Sequence, residues 1–169
     1  SYCTMTKLYI HAQTLIDGIS DAPKQDQLIT IEDDKIIQIE EYYEVNKNVI
    51  HEKVVTPGFF NCHVHIMYPV GFDSKKEFSL MEKAFYAQKH CKEYLESGVT
   101  FIRAVGTEEN YDLQIKEAID NHVIEGPHMY CAGKVICMTG GHGWQEGIEA
   151  DGKDACLKAV RTQLRSGVD

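Results

Sequence analysis

The chain of 169 residues is long enough for one domain with a sizeable core, and its 43% hydrophobic and 25% charged residues are typical of a globular protein. A formal net charge of -9 disfavours nucleic acid and anionic lipid as partners, and no apolar run reaches the roughly 18 residues that a membrane span needs. These numbers favour a small-molecule partner, with no nucleic acid and no membrane.

The six cysteines bear on the compartment in which the protein works. They form no C-x-x-C pair, and most of them lie in apolar segments where a free thiol acts as a small hydrophobic side chain. The N-terminus shows no basic stretch followed by an apolar core, so we predict no secretory signal. The even number of cysteines leaves disulfides possible, but a reduced, cytoplasmic protein is the prediction.

Residues 1–56 carry the signals of short strands. Four segments are rich in isoleucine, valine and tyrosine, which favour strands: "KLYIHA", "QLITIE", "KIIQIE" and "KVVT". The "EDDK" between the second and third segments is typical of a tight hairpin turn. The sequence therefore predicts a small antiparallel β unit.

Residues 57–169 show a different pattern, in which single short strands alternate with amphipathic helices. A strand over 59–62 is followed by a helix that Ser74 and Glu77 would begin as a capping box and that Gly98 would end. The apolar residues of this helix recur mostly at spacings of three or four. They are Phe78, Met81, Phe85, Cys91 and Leu95.

Two more strand and helix pairs follow. "VTFIRAVG" and "PHMYCAGKVI" are predicted strands, and "YDLQIKEAIDNHVI" is the helix between them. After the third strand comes a glycine-rich loop, "CMTGGHGWQEGIEADG". The last helix has Leu157, Val160 and Leu164 on one face, and Gly167 would end it.

Alternating strands and helices imply an α/β fold with a parallel sheet and right-handed crossovers. Such units build an open doubly wound sheet or a (β/α)8 barrel, and a barrel usually takes about 250 residues. Only about 110 residues follow Pro57, and the last helix ends where a fourth strand would start. We therefore expect the chain to be the front part of a larger protein.

Two histidines, His63 and His65, stand at the end of the first of these strands. Side chains at i and i+2 of a strand point to the same face, so the imidazoles would lie side by side, at the strand end where barrel enzymes place their chemistry. Neutral imidazole is a good Zn2+ ligand. The plainer alternative is a pair of partly exposed histidines at a strand end.

The segment "PGFFNCHVH" resembles the first-strand signature of the amidohydrolase superfamily, a proline and glycine, two aliphatic residues, an aspartate and an H-x-H pair. "GVTFIRAVG" and "MTGGHGW" extend the resemblance over the whole chain, towards the branch of imidazolonepropionase-related and Xaa-Pro dipeptidase-like (prolidase-like) enzymes. Two positions depart from the pattern. Asn61 replaces the usual aspartate, and Ala104 stands where relatives often have one.

The resemblance implies a metal-dependent hydrolase in a TIM-like (β/α)8 barrel, with a small β-sandwich part at 1–56 and the first three βα units at 57–169. His63 and His65 match the first two metal ligands, and the implied cofactor is a divalent metal, Zn2+ by preference, at one or two ions per full-length protomer. The other ligands, a bridging lysine and the catalytic aspartate would follow Asp169. No catalytic residue is assignable within the chain.

Two further residues are candidates for substrate binding. His142 is flanked by Gly140, Gly141 and Gly143, which let the backbone approach a substrate closely. Arg103 could orient an anionic substrate with its planar fork, although a structural ion pair with a neighbouring carboxylate is the interpretation we favour. The remaining histidines have no motif around them and are interpreted as structural or surface residues.

The predicted reaction is hydrolysis of a carbon–nitrogen bond, in a dipeptide or N-acyl amino acid, by metal-activated water. The alternatives are a deaminase or cyclic-amide hydrolase on the same scaffold, and a non-catalytic scaffold protein that Asn61 would hint at. If the native protein ended at Asp169, open sheet edges would require assembly with other chains. The sequence leaves a homo-oligomer open as well.

Overall fold

The structure is a computed structural model that describes residues 6–69, 71 and 76–169. The chain divides into two compact units, Ser1–Pro57 and Gly58–Asp169. Among the residues described, no helix combines the length and the apolar character that a membrane crossing requires. The five cysteines in the described ranges are free, and Cys3 lies outside these ranges.

The N-terminal unit contains a four-stranded sheet in the order β3-β2-β1-β4. Its strands bury a small core of Ala12, Leu15 and Ile29. The strands are β1 (Lys7–Leu15), β2 (Lys24–Glu32), β3 (Lys35–Glu41) and β4 (Val49–Val55).

Two of the three strand pairings are antiparallel, as the sequence predicts. Glu32 pairs with Lys35 across the predicted hairpin, and Asp33 takes a positive φ of 54° there, which aspartate tolerates better than most residues. The third pairing differs, because β4 lies parallel to β1. The prediction of an entirely antiparallel unit is wrong, since the seven residues between β3 and β4 carry the chain across the sheet before it pairs.

The second unit begins with a three-stranded parallel sheet in the order β5-β6-β7, which places three βα units side by side. One face of this sheet is buried by helices and forms the core around Ile102, Met129 and Cys91. The elements are β5 (Phe59–Val64), α1 (Leu80–Glu96), β6 (Val99–Ala104), a 3-10 turn (Glu108–Asn110), α2 (Tyr111–Asp120), β7 (His128–Cys131), β8 (Ile136–Cys137), β9 (Ile148–Glu149) and α3 (Lys153–Ser166).

The first helix starts later than the sequence predicts. Ser74 lies outside the described residues, and Glu77 precedes the helix, whose N-cap is Ser79 in a capping box with Glu82. Two residues of the expected apolar face, Met81 and Phe85, are exposed. Cys91 is buried as expected, and Lys83 and Ala87 lie on its face of the helix, because these three residues recur every four positions and point at the sheet.

Two other predicted elements need correction. The third strand of the sheet is shorter than "PHMYCAGKVI", because Gly133, at a φ of 70°, turns the chain away after Cys131 and Ile136 joins a separate pair, β8-β9. The last helix ends at Gly167 as predicted, with a φ of 94°. Its apolar face is nevertheless exposed, and Ala159 and Gln163 are buried in its place.

Candidate active site

The two first-strand histidines lie next to each other at the C-terminal end of β5. Their ring centroids are 5.4 Å apart, with the ring planes inclined at 72°, and both residues are exposed. The side-chain oxygen of Asn61 accepts a hydrogen bond from the backbone N–H of His63 at 3.2 Å. The asparagine therefore fixes the backbone from which the first imidazole projects.

Their separation fits a shared metal ion. The two rings lie close together at one strand end, with centroids 5.4 Å apart, and neutral imidazole is a ligand that Zn2+ prefers. Among the described residues no group of three or more histidine, cysteine, aspartate or glutamate side chains could hold a metal. The chain thus supplies two donors of suitable chemistry, and a closed site needs more.

Arg103 lies at the end of β6, beside β5. Its Nε donates to the backbone carbonyl of Cys62 at 2.9 Å, and within the described ranges the guanidinium makes no salt bridge. The structural ion pair that we favoured from the sequence is therefore not formed by these residues. Because Cys62 immediately precedes His63, this hydrogen bond ties the arginine to the strand end that carries the histidines.

His142 lies in the glycine-rich loop between β8 and β9 and is exposed. The loop is held by hydrogen bonds, from Gly140 N–H to Glu149 at 2.7 Å and from the Thr139 N–H and hydroxyl to Asp151. The hydrogen bond from the Thr139 hydroxyl, and then the one from its backbone N–H, hold the pKa of Asp151 below its usual value. In the part of the chain that the structure describes, His142 makes no ring contact or hydrogen bond with His63 or His65.

A polar network that the sequence analysis missed joins this loop to the segment after His65. The Tyr68 hydroxyl donates to Glu146 of the loop at 2.7 Å, and Lys83 of α1 forms an ion pair with Glu108 while lying 5.1 Å from the Tyr68 ring centroid. Burial and then the hydrogen bond to Glu146 raise the pKa of Tyr68 to about 12. Burial lowers the pKa of Lys83, but its partners outweigh this effect and leave the pKa above its usual value.

One signal in the sequence could have revealed the buried lysine. Lys83 stands four residues before Ala87 and eight before Cys91, so it belongs to the buried stripe of the helix, where an ionisable side chain must be paired. Glu108, the partner of Lys83, lies 25 residues from it along the chain, and 78 residues separate Tyr68 from Glu146. No local pattern connects them.

A second buried group supports the turn after β7. Asp112 is fully buried, and its carboxylate accepts from the Thr107 hydroxyl at 3.0 Å, from Leu113 N–H at 3.0 Å and from Gly133 N–H at 2.8 Å. A buried carboxylate is tolerated only when it is hydrogen-bonded in this way. Asp112 therefore holds the point at which the chain leaves the sheet for the glycine-rich loop.

A model of the amidohydrolase family matches residues 54–169, which include the histidine pair, Arg103 and the glycine-rich loop. The chain belongs to the amidohydrolase family. The predicted fold class, with three βα units of a TIM-like barrel after a small β part, is confirmed by this match and by the parallel sheet.

Several proteins of known structure or sequence are similar to this amidohydrolase-family chain. A Xaa-Pro dipeptidase, crystallised with methionine bound in its active site, shares 28% identity at a TM-score of 0.86 over 97% of this chain and 46% of its own. Ochratoxinase of Aspergillus niger is 25% identical over 94% of this chain and 40% of its own length. The crystal structure of A. niger ochratoxinase superposes at a TM-score of 0.80, with 22% identity over 97% of this chain and 45% of its own.

The chain therefore spans less than half the length of these relatives. The likeness to the dipeptidase covers both units of the chain, so the similarity is not confined to the residues that the family model matches.

Proposed function

We propose that the full-length protein is a metal-dependent hydrolase that cleaves a carbon–nitrogen bond in a dipeptide or an N-acyl amino acid. The observation that carries this proposal is the His63 and His65 pair, exposed at the C-terminal end of the first strand of the sheet. The hydrolases among its relatives, a Xaa-Pro dipeptidase and an ochratoxinase, support the reaction class.

The two imidazoles would hold a divalent metal, Zn2+ being the ion whose preferred ligands they match. The chemistry that such an ion supplies is the activation of water at neutral pH and the polarisation of a carbonyl. Asn61 orients the first imidazole through its hydrogen bond to the backbone of His63. The ligands that complete the site, and the acid-base group, would belong to the part of the protein after Asp169.

Arg103 and His142 are proposed to bind the substrate. The hydrogen bond to the Cys62 carbonyl uses only Nε of the arginine, so its terminal nitrogens can receive a substrate carboxylate in a bidentate pair. His142 stands in a loop held in place from both sides, by Asp151 and Glu149 at its ends and by Tyr68 through Glu146. A histidine on such a support needs little ordering to contact a bound substrate.

The rest of the fold follows from the same proposal. The backbone N–H of Asp169 donates to the Cys131 carbonyl at 3.1 Å, the position from which a fourth parallel strand would extend beside β7. Residues 57–169 would then be the first three units of a closed barrel. Residues 1–56 would form one layer of a small β-sandwich, completed by the other end of the full-length chain.

The experiment is metal analysis and a substrate screen on the full-length protein, purified without chelator. We expect His63→Ala with His65→Ala to remove bound metal and hydrolysis of dipeptides or N-acyl amino acids together. His142→Ala should lower kcat/KM at full metal content. His122→Asn, which replaces an exposed histidine at a positive φ that asparagine tolerates, is the matched control and should change neither quantity.

Unchanged hydrolysis in the double variant would contradict the proposal. The metal count separates the alternatives: two ions per protomer favour the dipeptidase-like site, and one favours a deaminase or cyclic-amide hydrolase. A full-length protein with no metal and no activity would favour a scaffold protein.

A further inference from the structure

A second pair of histidines lies in the N-terminal unit, away from every motif of the sequence. His11 on β1 and His51 on β4 stand directly opposite each other in the parallel pairing of these strands. Their Nδ1 atoms are 3.0 Å apart, although 40 residues separate them along the chain. His11 is 9% exposed and His51 is exposed, so one imidazole is held inside the sheet surface and the other faces solvent.

The inner imidazole is oriented by its surroundings. Asp26 on β2 places a carboxylate oxygen 3.3 Å from Nε2 of His11, which favours the tautomer with its hydrogen on Nε2 and leaves Nδ1, the atom next to His51, as the acceptor. The ring of Tyr42 stacks on His11, with centroids 3.9 Å apart and an interplanar angle of 27°. A carboxylate on the far nitrogen of a histidine is the arrangement that supports histidines in metal sites.

We propose that His11 and His51 form a bidentate site for a divalent transition-metal ion that favours tetragonal coordination, Cu2+ or Ni2+, with water completing the coordination. Metal–nitrogen distances of about 2.0–2.1 Å, taken from imidazole sites, turn a 3.0 Å nitrogen separation into an angle of about 95° at the metal. That angle matches neighbouring positions of a square-planar ion better than a tetrahedral one.

Without metal, a single proton between the two Nδ1 atoms accounts for the same distance. On binding, this proton would move from Nδ1 of His51 to Nε2 of the same ring, so that both Nδ1 atoms face the ion and both imidazoles stay neutral, which is the ligand form. The protein supplies two donors and one supporting carboxylate, so the site would be open and exchangeable. Its effect on the fold would be to join β4, at the edge of the sheet, to β1.

The proposal is independent of the hydrolase site, and its test removes that site. In the full-length protein carrying His63→Ala and His65→Ala, titration with NiCl2 followed by calorimetry should show one equivalent bound per chain. Adding His51→Gln should lower the apparent affinity by at least about tenfold. Adding His122→Asn instead, which removes an exposed histidine of the other unit, should leave the affinity unchanged.

The exposed position of His51 makes the glutamine variant the conservative choice, and its unfolding transition without metal checks that it folds. A second measurement does not depend on any variant of the pair: Cu2+ added below one equivalent should broaden the ring proton signals of His11 and His51 before those of His122. Three results would overturn the proposal. They are no Ni2+ binding by the chain that carries only His63→Ala and His65→Ala, equal affinity in the folded His51→Gln chain, and broadening of the His122 signals before those of the pair.

Discussion

The side chain of Asn61 shows how one departure from a family signature can keep a structural role. Its oxygen accepts from the His63 backbone N–H at 3.2 Å, a bond that an aspartate could form equally well. Replacing aspartate by asparagine removes a negative charge and preserves this acceptor. The local backbone of the histidine pair therefore does not depend on a carboxylate at residue 61.

Gly133 and Gly140 allow a paired prediction, because their φ angles are nearly equal, 70° and 68°, and their surroundings differ. A Cβ on Gly140 would meet nothing within 4 Å, whereas one on Gly133 would overlap the Gln163 side chain and lie 2.7 Å from the Asn110 oxygen. We expect Gly140→Ala to cost about 1–2 kcal/mol of unfolding free energy, the penalty of left-handed backbone. Gly133→Ala should cost clearly more.

Urea unfolding, followed by the fluorescence of Trp144, the one tryptophan of the chain, gives the unfolding free energy of both glycine variants. Both glycines and Trp144 belong to the C-terminal unit. Equal costs would show that the crowding around Gly133 relaxes without penalty.

The raised pKa of Tyr68 predicts that the folded chain loses stability in alkali. Its pKa is raised from 10.0 to about 12 in the folded chain, by burial first and by Glu146 second. A group whose pKa is raised on folding stabilises the fold by its full amount at every pH below its pKa in the unfolded chain. For Tyr68 this contribution is lost as the pH rises from 10 through 12. We expect the unfolding free energy of the parent chain to fall over this interval more steeply than that of Tyr68→Phe.

Tyr130→Phe, which changes an exposed tyrosine on β7 of the same unit, is the control for the alkaline experiment and should behave like the parent. Identical slopes for the parent and Tyr68→Phe would show that the hydroxyl does not titrate differently in the folded chain.

At the scale of the element, the capping box of α1 gives a prediction. The Ser79 hydroxyl accepts from Glu82 N–H at 3.3 Å, and the Glu82 carboxylate accepts from Ser79 N–H at 2.9 Å. Ser79→Ala should destabilise the unit by about 1 kcal/mol in urea unfolding. Ser97→Ala, at the other end of the helix, removes no N-cap and should cost less.

The pH dependence of this helix end follows from Glu82. The hydrogen bond from the Ser79 backbone N–H is the main cause that holds the pKa of Glu82 below 4.5. A carboxyl group whose pKa is lowered on folding stabilises the fold at every pH above its pKa in the unfolded chain. This contribution is lost as the pH falls from there through the pKa of the folded chain. Glu82→Gln should therefore remove part of the acid dependence of stability, and an unchanged acid profile would contradict the assignment.

Most strands were predictable from the sequence, because β-branched residues between turn residues mark them locally. The parallel pairing of β4 was not, since local residue pattern does not fix which edge a strand joins. The start of α1 was misplaced because Ser74 with Glu77 and Ser79 with Glu82 carry the same capping pattern. The buried face of α1 was predicted only at Cys91, since small residues such as Ala87 pack closest to a sheet and leave Phe85 outside.

The two histidine pairs show the same contrast for sites. His63 and His65 are two residues apart on one strand, so strand geometry alone brings their side chains together. His11 and His51 meet only through the pairing of β1 with β4. The first pair could be predicted as a metal site from the sequence, and the second required the structure.

At the scale of the whole molecule, large apolar side chains are exposed in the C-terminal unit. Phe60, Met81 and Phe85 are 69%, 69% and 64% exposed, although side chains of this kind are more often buried. If the barrel continues after Asp169, residues 1–169 alone should bind the dye ANS with a fluorescence increase, and the full-length protein should bind less per mole. Phe60→Ser should reduce the signal of residues 1–169.

ANS fluorescence of residues 1–169 that equals the signal of the full-length protein would contradict the barrel proposal.

The parallel pairing of β1 with β4 has a consequence for the order of folding. The strands β1, β2 and β3 join neighbours through short connections, whereas β4 meets β1 across 40 residues, so its contact carries a larger loop-closure cost. The three-stranded meander should therefore form first and dock β4 last. The two imidazoles come together only in that final step, and their contact marks a completed sheet.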